Sequence, residues 1–306
     1  MEGIVICSTG RWCEVFSNNK IYRCTVKGNL RLRGIKTTNP VAVGDIVEFI
    51  PAENELIGQI SKIKERKNVI IRRSTNLSKQ THILAANIDL ALLIVTPILP
   101  RTSTGFIDRF LITAESYHIP TLIVFNKKDL FENNREIVDY YKEIYKSAKY
   151  PTIEVSAITG ENIDKLKKEI AGKTILLSGH SGVGKSAILM AISPDINVKT
   201  ESISKVHFKG MHTTTFARLY NIKNNTFIID SPGIKEFGVV DFEQWELGHW
   251  FREFAPFIPN CKYANCTHQH EPECAIRDAV EKGLIHEERY QNYLGILNNI
   301  SEDRNY

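Results

Sequence analysis

The segment KTILLSGHSGVGKSAILM (173–190) constrains the chain more than any other, because it sets a complete G-x-x-x-x-G-K-S between an apolar run and a helix-like stretch. Those residue types are useful only where a strand ends in a glycine-rich turn that re-enters as a helix. Gly179, Gly182 and Gly184 let the turn aim backbone N–H groups at phosphate oxygens, with His180, Ser181 and Val183 between them, and the helix N-terminus adds its positive end. Lys185 reaches the β- and γ-phosphates, Ser186 can hold Mg2+, and Ala187 follows on the first turn. A glycine-rich turn with a chance Lys-Ser is the bland alternative, and the agreement of flanks with motif argues against it.

The surroundings repeat that strand-then-helix pattern. Apolar runs at 89–97, 120–126, 151–156, 173–179 and 226–233 alternate with helical stretches near 106–117, 134–148 and 162–171. This alternation predicts a mostly parallel sheet covered on both faces, with its ligand at the carboxyl ends of the strands. One run ends in Asn126-Lys127-Lys128-Asp129. A carboxylate there can accept from both the ring N1–H and the exocyclic amine of guanine, whereas adenine would leave the charge unpaired. The next run ends in Ser156-Ala157, and TFIID runs into Asp230-Ser231-Pro232-Gly233. Together these resemble the motif set of GTPases. On that likeness Asp230 holds Mg2+ through water and the Gly233 N–H meets the γ-phosphate. A threonine among Thr213, Thr214 and Thr215, of which Thr214 is carried forward, is the candidate second metal ligand.

The motifs stand in an unusual order, with the base-reading elements at 126 and 156 ahead of the phosphate loop at 179. The GTPase core is therefore circularly permuted. The chain leaves that core directly after the D-x-x-G turn, so movement at 230–238 is expected to be passed to whatever follows. Ile234 stands where many GTPases keep a water-orienting Gln, which predicts slow intrinsic turnover that a partner accelerates. His212 is the candidate for positioning water, beside Lys185 as the other catalytic residue; an ordinary solvated loop histidine is the competing reading.

Residues 1–70 alternate short apolar runs with turn signals, a pattern predicting a small OB-type β-barrel. Residues 1–73 hold 13 Lys and Arg against 7 Asp and Glu, while the remainder holds 26 against 28, so the positive field sits at the front of the chain. That suits contact with a phosphate backbone. The loop carrying Arg31 and Arg33 is a stronger candidate for that contact than Trp12, Phe16 and Tyr22, which are expected in core or mixed packing. Residues 71–87 are expected to form a polar connection, and Cys7, Cys13 and Cys24 to be small buried hydrophobes.

Near the other end, Cys261-x4-Cys266-x-His268-x5-Cys274 places three thiols and an imidazole within 14 residues. Such a set fits one closed, structural Zn2+ site, with His270 competing for the fourth position. Helices near 242–254 and 275–299 are expected to complete a mostly helical zinc domain, from which Lys262 or Arg277 could touch RNA. The expected boundaries are 1–70, 71–238 and 239–306. No run of about 18 apolar residues occurs and the N-terminus lacks a signal-peptide pattern, so a soluble, cytoplasmic protein without a membrane partner is expected.

An OB-like domain, a permuted GTPase and a Cys-Cys-His-Cys cluster, in that order, together resemble the ribosome small subunit-dependent GTPase A (RsgA) family. The resemblance covers nearly the whole chain through N-K-K-D, G-H-S-G-V-G-K-S, G-M-H-T-T-T, D-S-P-G and C-x4-C-x-H-x5-C. It implies ribosome-stimulated GTP hydrolysis during late maturation of the bacterial small (30S) subunit, contact with its rRNA, and His268 as the fourth zinc ligand. Ala187 stands where a second Ser is common, and His180 occupies a variable position. The expected partners are GTP, GDP and the 30S subunit, not DNA, and the expected state is a monomer. The rival reading is a nucleotide-regulated RNA-binding module in which hydrolysis is incidental. A P-loop kinase would prefer ATP, and Asp129 argues against it.

Overall fold

The computed structural model describes residues 1–9, 12–27, 40–52, 56–73, 81–194, 218–223, 225–230 and 243–303. They fall into two compact units, one of Met1–Ala91, Lys167–Ser178 and Ile192–Glu236, the other of Leu92–Leu166, Gly179–Ala191 and Phe237–Tyr306.

The first unit begins with five strands, β1 (Glu2–Ser8), β2 (Trp12–Ser17), β3 (Lys20–Val26), β4 (Ile46–Pro51) and β5 (Ile57–Ile63). Burial alternates residue by residue along β2 and β3, as a period of two requires when one face packs inward. Asn18 and Asn19, both at positive φ, turn β2 into β3. β3 pairs in parallel with β5, β5 pairs antiparallel with β4, and β4 returns antiparallel to β1, which closes the barrel. Its core holds Val5, Val15, Val47, Phe49 and Ile60, together with Cys13 and Cys24 as small apolar fillers. Burial pushes the Cys24 thiol up to about 12. Of the three aromatics, Tyr22 is core, packed 5.0 Å from Phe49; Phe16 is half-buried, edge-on to Phe227; and half-buried Trp12 lies under the Arg23 guanidinium at 4.3 Å.

The expected polar connection at 71–87 is corrected: β6 (Val69–Arg73) and β7 (Thr81–Ala86) form an antiparallel hairpin. Ile70, Ala85 and Ala86 bury its apolar side, a stripe too short to stand out beside the polar residues around it. The unit also holds β11 (Thr174–Ser178), β12 (Arg218–Lys223) and β13 (Thr226–Asp230). β11 and β13 are parallel, β12 is antiparallel to β13, and Cys7 pairs with Arg218 to join β12 to the barrel.

In the second unit β8 (Leu90–Val95), β9 (Thr121–Phe125) and β10 (Thr152–Glu154) run in the order β10-β9-β8, with β9 and β10 parallel. β8 and β9 are buried along their whole length, as expected for strands covered on both faces. The helices are α1 (Thr104–Ser116), α2 (Arg135–Ser147), α3 (Ile163–Ile170) and α4 (Lys185–Ile192). Ser103 caps α1 by accepting from the Phe106 amide at 3.2 Å.

Two helix expectations near the C-terminus are corrected. Residues 243–260 form turns and short 3-10 segments in place of a helix over 242–254. The single helix over 275–299 is two, α5 (Ala275–Glu281) and α6 (Glu287–Asp303). Gly283 breaks them: its positive φ lets the Gly283 and Leu284 amides turn back to the Val280 and Ala279 carbonyls at 2.9 Å. These elements share a core of Leu247, Phe251, Phe254, Ile276 and Tyr293 that also takes in Ile112 of α1.

Candidate functional site

The phosphate-loop residues lie where β11 hands over to α4. Gly179 has φ +139°, and a Cβ there would stand 2.3 Å from the Ile94 carbonyl oxygen, so only glycine fits. The Lys185 ammonium folds back over the loop and donates to the Gly179 and His180 carbonyls at 2.5 and 2.7 Å. Val183 is buried, whereas Ser181, Gly182 and Ser186 are exposed and Ala187 half-buried. The arrangement offers backbone amides, one ammonium and one hydroxyl to an anion.

The base-reading residues lie against this loop. Asn126, buried at the end of β9, donates through Nδ2 to the Val183 carbonyl at 2.8 Å and accepts at Oδ1 from the Ala157 amide at 3.2 Å. Its amide fills the space where a Cβ at Gly184 would sit, at 2.3 Å. One side chain therefore ties all three motifs together. Lys127 takes a left-handed backbone (φ 66°) and reaches the Leu99 carbonyl at 2.8 Å. The Lys128 ammonium pairs with Glu161. Ser156, fully buried, donates its hydroxyl to one oxygen of Asp129 at 2.5 Å, while Asp129 itself is exposed to whatever occupies the cleft. The carboxylate is thus aimed by a neighbour and open to solvent.

Gly233, Ile234, His212 and Thr213, Thr214 and Thr215 lie outside the described residues, as do the Asp230 side chain and the Arg31 and Arg33 loop.

The second cluster brings together Cys261, Cys266, His268 and Cys274, whose ligand atoms all lie within 4.8 Å of one another. His268 is 2% exposed with Nδ1 3.6 Å from Cys261 Sγ and 3.5 Å from Cys274 Sγ, while His270 is exposed. Of the two histidines, His268 is the one whose ring joins this cluster. Burial pushes the Cys266 thiol up to about 12 and the His268 imidazole down to about 4. Three thiols and a neutral imidazole packed this closely gain by holding a cation, whose charge turns the thiols into thiolates. The donor set fits a metal ion.

Two supporting residues escape sequence reading. Gly248 makes room for the His268 ring, since a Cβ there would lie 2.9 Å from Nε2. Glu271 accepts from the Thr267 hydroxyl and amide at 2.7 and 2.6 Å, and from the Gln269 and His270 amides at 3.0 and 3.2 Å. Burial works to raise its carboxyl, but these hydrogen bonds prevail and bring it down from 4.5 to about 2. A depressed carboxyl contributes stability that is complete above its unfolded value and is lost as pH falls through the folded one. Thermal unfolding should therefore separate Glu271→Gln from the unaltered chain most widely above about pH 5, with the gap narrowing toward about pH 3. A gap independent of pH would contradict this role.

The geometry agrees with known proteins. The profile of the RsgA N-terminal domain matches residues 2–60 and that of the RsgA GTPase matches residues 63–240. A Bacteroides fragilis protein named small ribosomal subunit biogenesis GTPase RsgA is 50% identical over 306 residues, 99% of this chain and 98% of its own. One of the same name from Christiangramia forsetii is 49% identical, spanning 100% and 98% of the two chains. The crystal structure of YjeQ from Thermotoga maritima superposes with TM-score 0.80 at 35% identity over 98% of each chain. That of YloQ, a circularly permuted GTPase, gives 0.77 at 26% identity over 99% of this chain and 95% of its own. With its nucleotide motifs tied together in permuted order and family profiles spanning nearly all of residues 2–240, this chain belongs to the RsgA GTPase family and is a GTP-hydrolysing enzyme.

Proposed function

We propose that this GTPase acts on the small ribosomal subunit during its late maturation, with bound nucleotide timing docking and release. The names of its relatives support the ribosomal reading. The observation that carries the nucleotide reading is the Asn126 tie, which sets the loop at 179–186 beside an Asp129 carboxylate free to meet a base.

In this reading Asp129 accepts from guanine N1–H and its exocyclic amine, with Ser156 holding the carboxylate and the Ala157 region closing over the base. The loop amides from His180 to Lys185 cradle the phosphates, and Lys185 neutralises charge that develops on the β–γ bridge. Ser186, Asp230 and one threonine among Thr213, Thr214 and Thr215, taken here as Thr214, would hold Mg2+, and the Gly233 amide would meet the γ-phosphate; when bound, the ion would supply charge neutralisation at the transferred phosphoryl group. His212 positions the attacking water where Ile234 cannot.

Zn2+ is the ion best matched to three thiolates and one imidazole in a closed site, and its role here is structural. The segments 1–70 and 239–306 grip rRNA while 71–238 switches, and Arg31 and Arg33 on the basic N-terminal segment serve the first of these contacts. No helix among the described residues is long and apolar enough to cross a membrane.

Phosphate release measured with and without purified 30S subunits tests the reading. Stimulation of at least about tenfold is expected, falling steeply as salt rises because docking is dominated by phosphate contacts. Equal rates with and without subunits would remove the ribosomal reading.

A further inference from the structure

The loop at 179–186 has a third tether besides Asn126 and Lys185, and it involves His180, a variable position of the motif. The His180 ring is held at both nitrogens, with Nε2 2.6 Å from the Thr102 hydroxyl and Nδ1 2.9 Å from the Ser181 carbonyl oxygen. The ring also stands edge-on to Phe106 at 5.7 Å. Its anchor is firm. Thr102 is fully buried, its hydroxyl also accepts from the Thr96 amide at 3.0 Å, and its carbonyl accepts from the Tyr141 hydroxyl at 2.8 Å.

The consequence lies in the peptide joining Ser181 to Gly182. In a trans peptide the C=O and the following N–H point in opposite directions. With the Ser181 carbonyl accepting from the His180 Nδ1–H, the Gly182 N–H is turned away from that ring. Gly182, at φ +82° and without a side chain, is otherwise free to flip this peptide, and a flip would replace an anion-binding amide by a carbonyl that repels phosphate.

Resting on the reading of this loop as the phosphate cradle, we propose that His180 is a positioning residue for nucleotide binding. It pins the Ser181–Gly182 peptide in its amide-presenting orientation through the Thr102-anchored ring. The ring touches no phosphate and acts through the backbone it holds.

The test compares GDP and GTP affinity for the full-length protein, His180→Ala and His180→Asn, with melting temperature measured for each. Asparagine keeps an N–H near the place of Nδ1. His180→Ala should raise both dissociation constants about two- to tenfold, one hydrogen bond's worth. His180→Asn should recover most of that loss, and the preference for guanine over adenine nucleotide should stay unchanged in both, because the Asp129 contacts are not altered. Melting temperatures close to that of the unaltered chain assign the effect to the loop. Unchanged GDP affinity in His180→Ala, or an asparagine variant as weak as the alanine one, overturns the proposal while leaving the site reading intact. If the unaltered protein fails to bind GDP at all, both fall.

Discussion

Replacing Arg289 by alanine is expected to cost about 3–5 kcal/mol and to lower the melting temperature by roughly 10 °C. Arg289 is fully buried, with Nη1 2.5 Å from Asp108, Nε and Nη2 2.5 and 3.1 Å from Glu253, and its guanidinium 4.6 Å over the Phe251 ring. Asn292 donates to the other Asp108 oxygen at 2.7 Å. Burial raises the Asp108 carboxyl even though the guanidinium beside it pulls the other way. One cation thus serves two carboxylates out of water, and removing it leaves both without compensation. Asp108→Asn should be milder, about 1–2 kcal/mol, because Arg289 keeps its two-point pairing with Glu253 and the cluster becomes neutral. Denaturant unfolding of both variants checks the order. A larger loss in Asp108→Asn than in Arg289→Ala would contradict this reading, because the isosteric exchange leaves packing intact and removes one of the two carboxylates that Arg289 compensates. Because Asp108 belongs to α1 and Arg289 to α6, this cluster also fastens the C-terminal helices to the helix that follows the Thr102 anchor.

Asp129→Asn should exchange the preferred base. Guanine offers two donors along the edge that meets Asp129, N1–H and the exocyclic amine; xanthine offers N1–H and a carbonyl. A carboxylate matches the first pattern, while an amide, one acceptor and one donor, matches the second. Losing a charge-assisted pair of hydrogen bonds should weaken GTP binding by roughly 10²–10⁴-fold and bring xanthosine triphosphate above it. Competition between the two nucleotides is the readout, and an unchanged GTP preference would place the base elsewhere.

The chemistry of the site was legible because it depends on residue types at short fixed spacing, as in 126–129, 179–186 and 261–274. The five-strand barrel was legible for a related reason, a period-two pattern punctuated by turns. Contacts between residues far apart in sequence were not. Thr102 and His180 stand 78 positions apart, and Asp108 and Arg289 181, so no local pattern announces either. The stretch 242–254 reads as a helix because its apolar residues are dense, whereas the turns and short 3-10 segments that occupy 243–260 carry no sustained 3.6-residue period. Gly283 marks a break that a continuous helical reading passes over, although a glycine after an apolar-periodic stretch is a stop signal. Spacing alone leaves His268 and His270 open; the resemblance favours His268, and the ring position agrees with it, with room supplied by Gly248.

The most direct test of the account is a crystal structure of the protein with GDP and Mg2+. A single nucleotide is predicted to span both motifs, its guanine edge against the Asp129 carboxylate and its phosphates among the 179–186 amides beside Lys185. A nucleotide whose phosphates occupy that loop while its base turns away from residues 126–129 would contradict it.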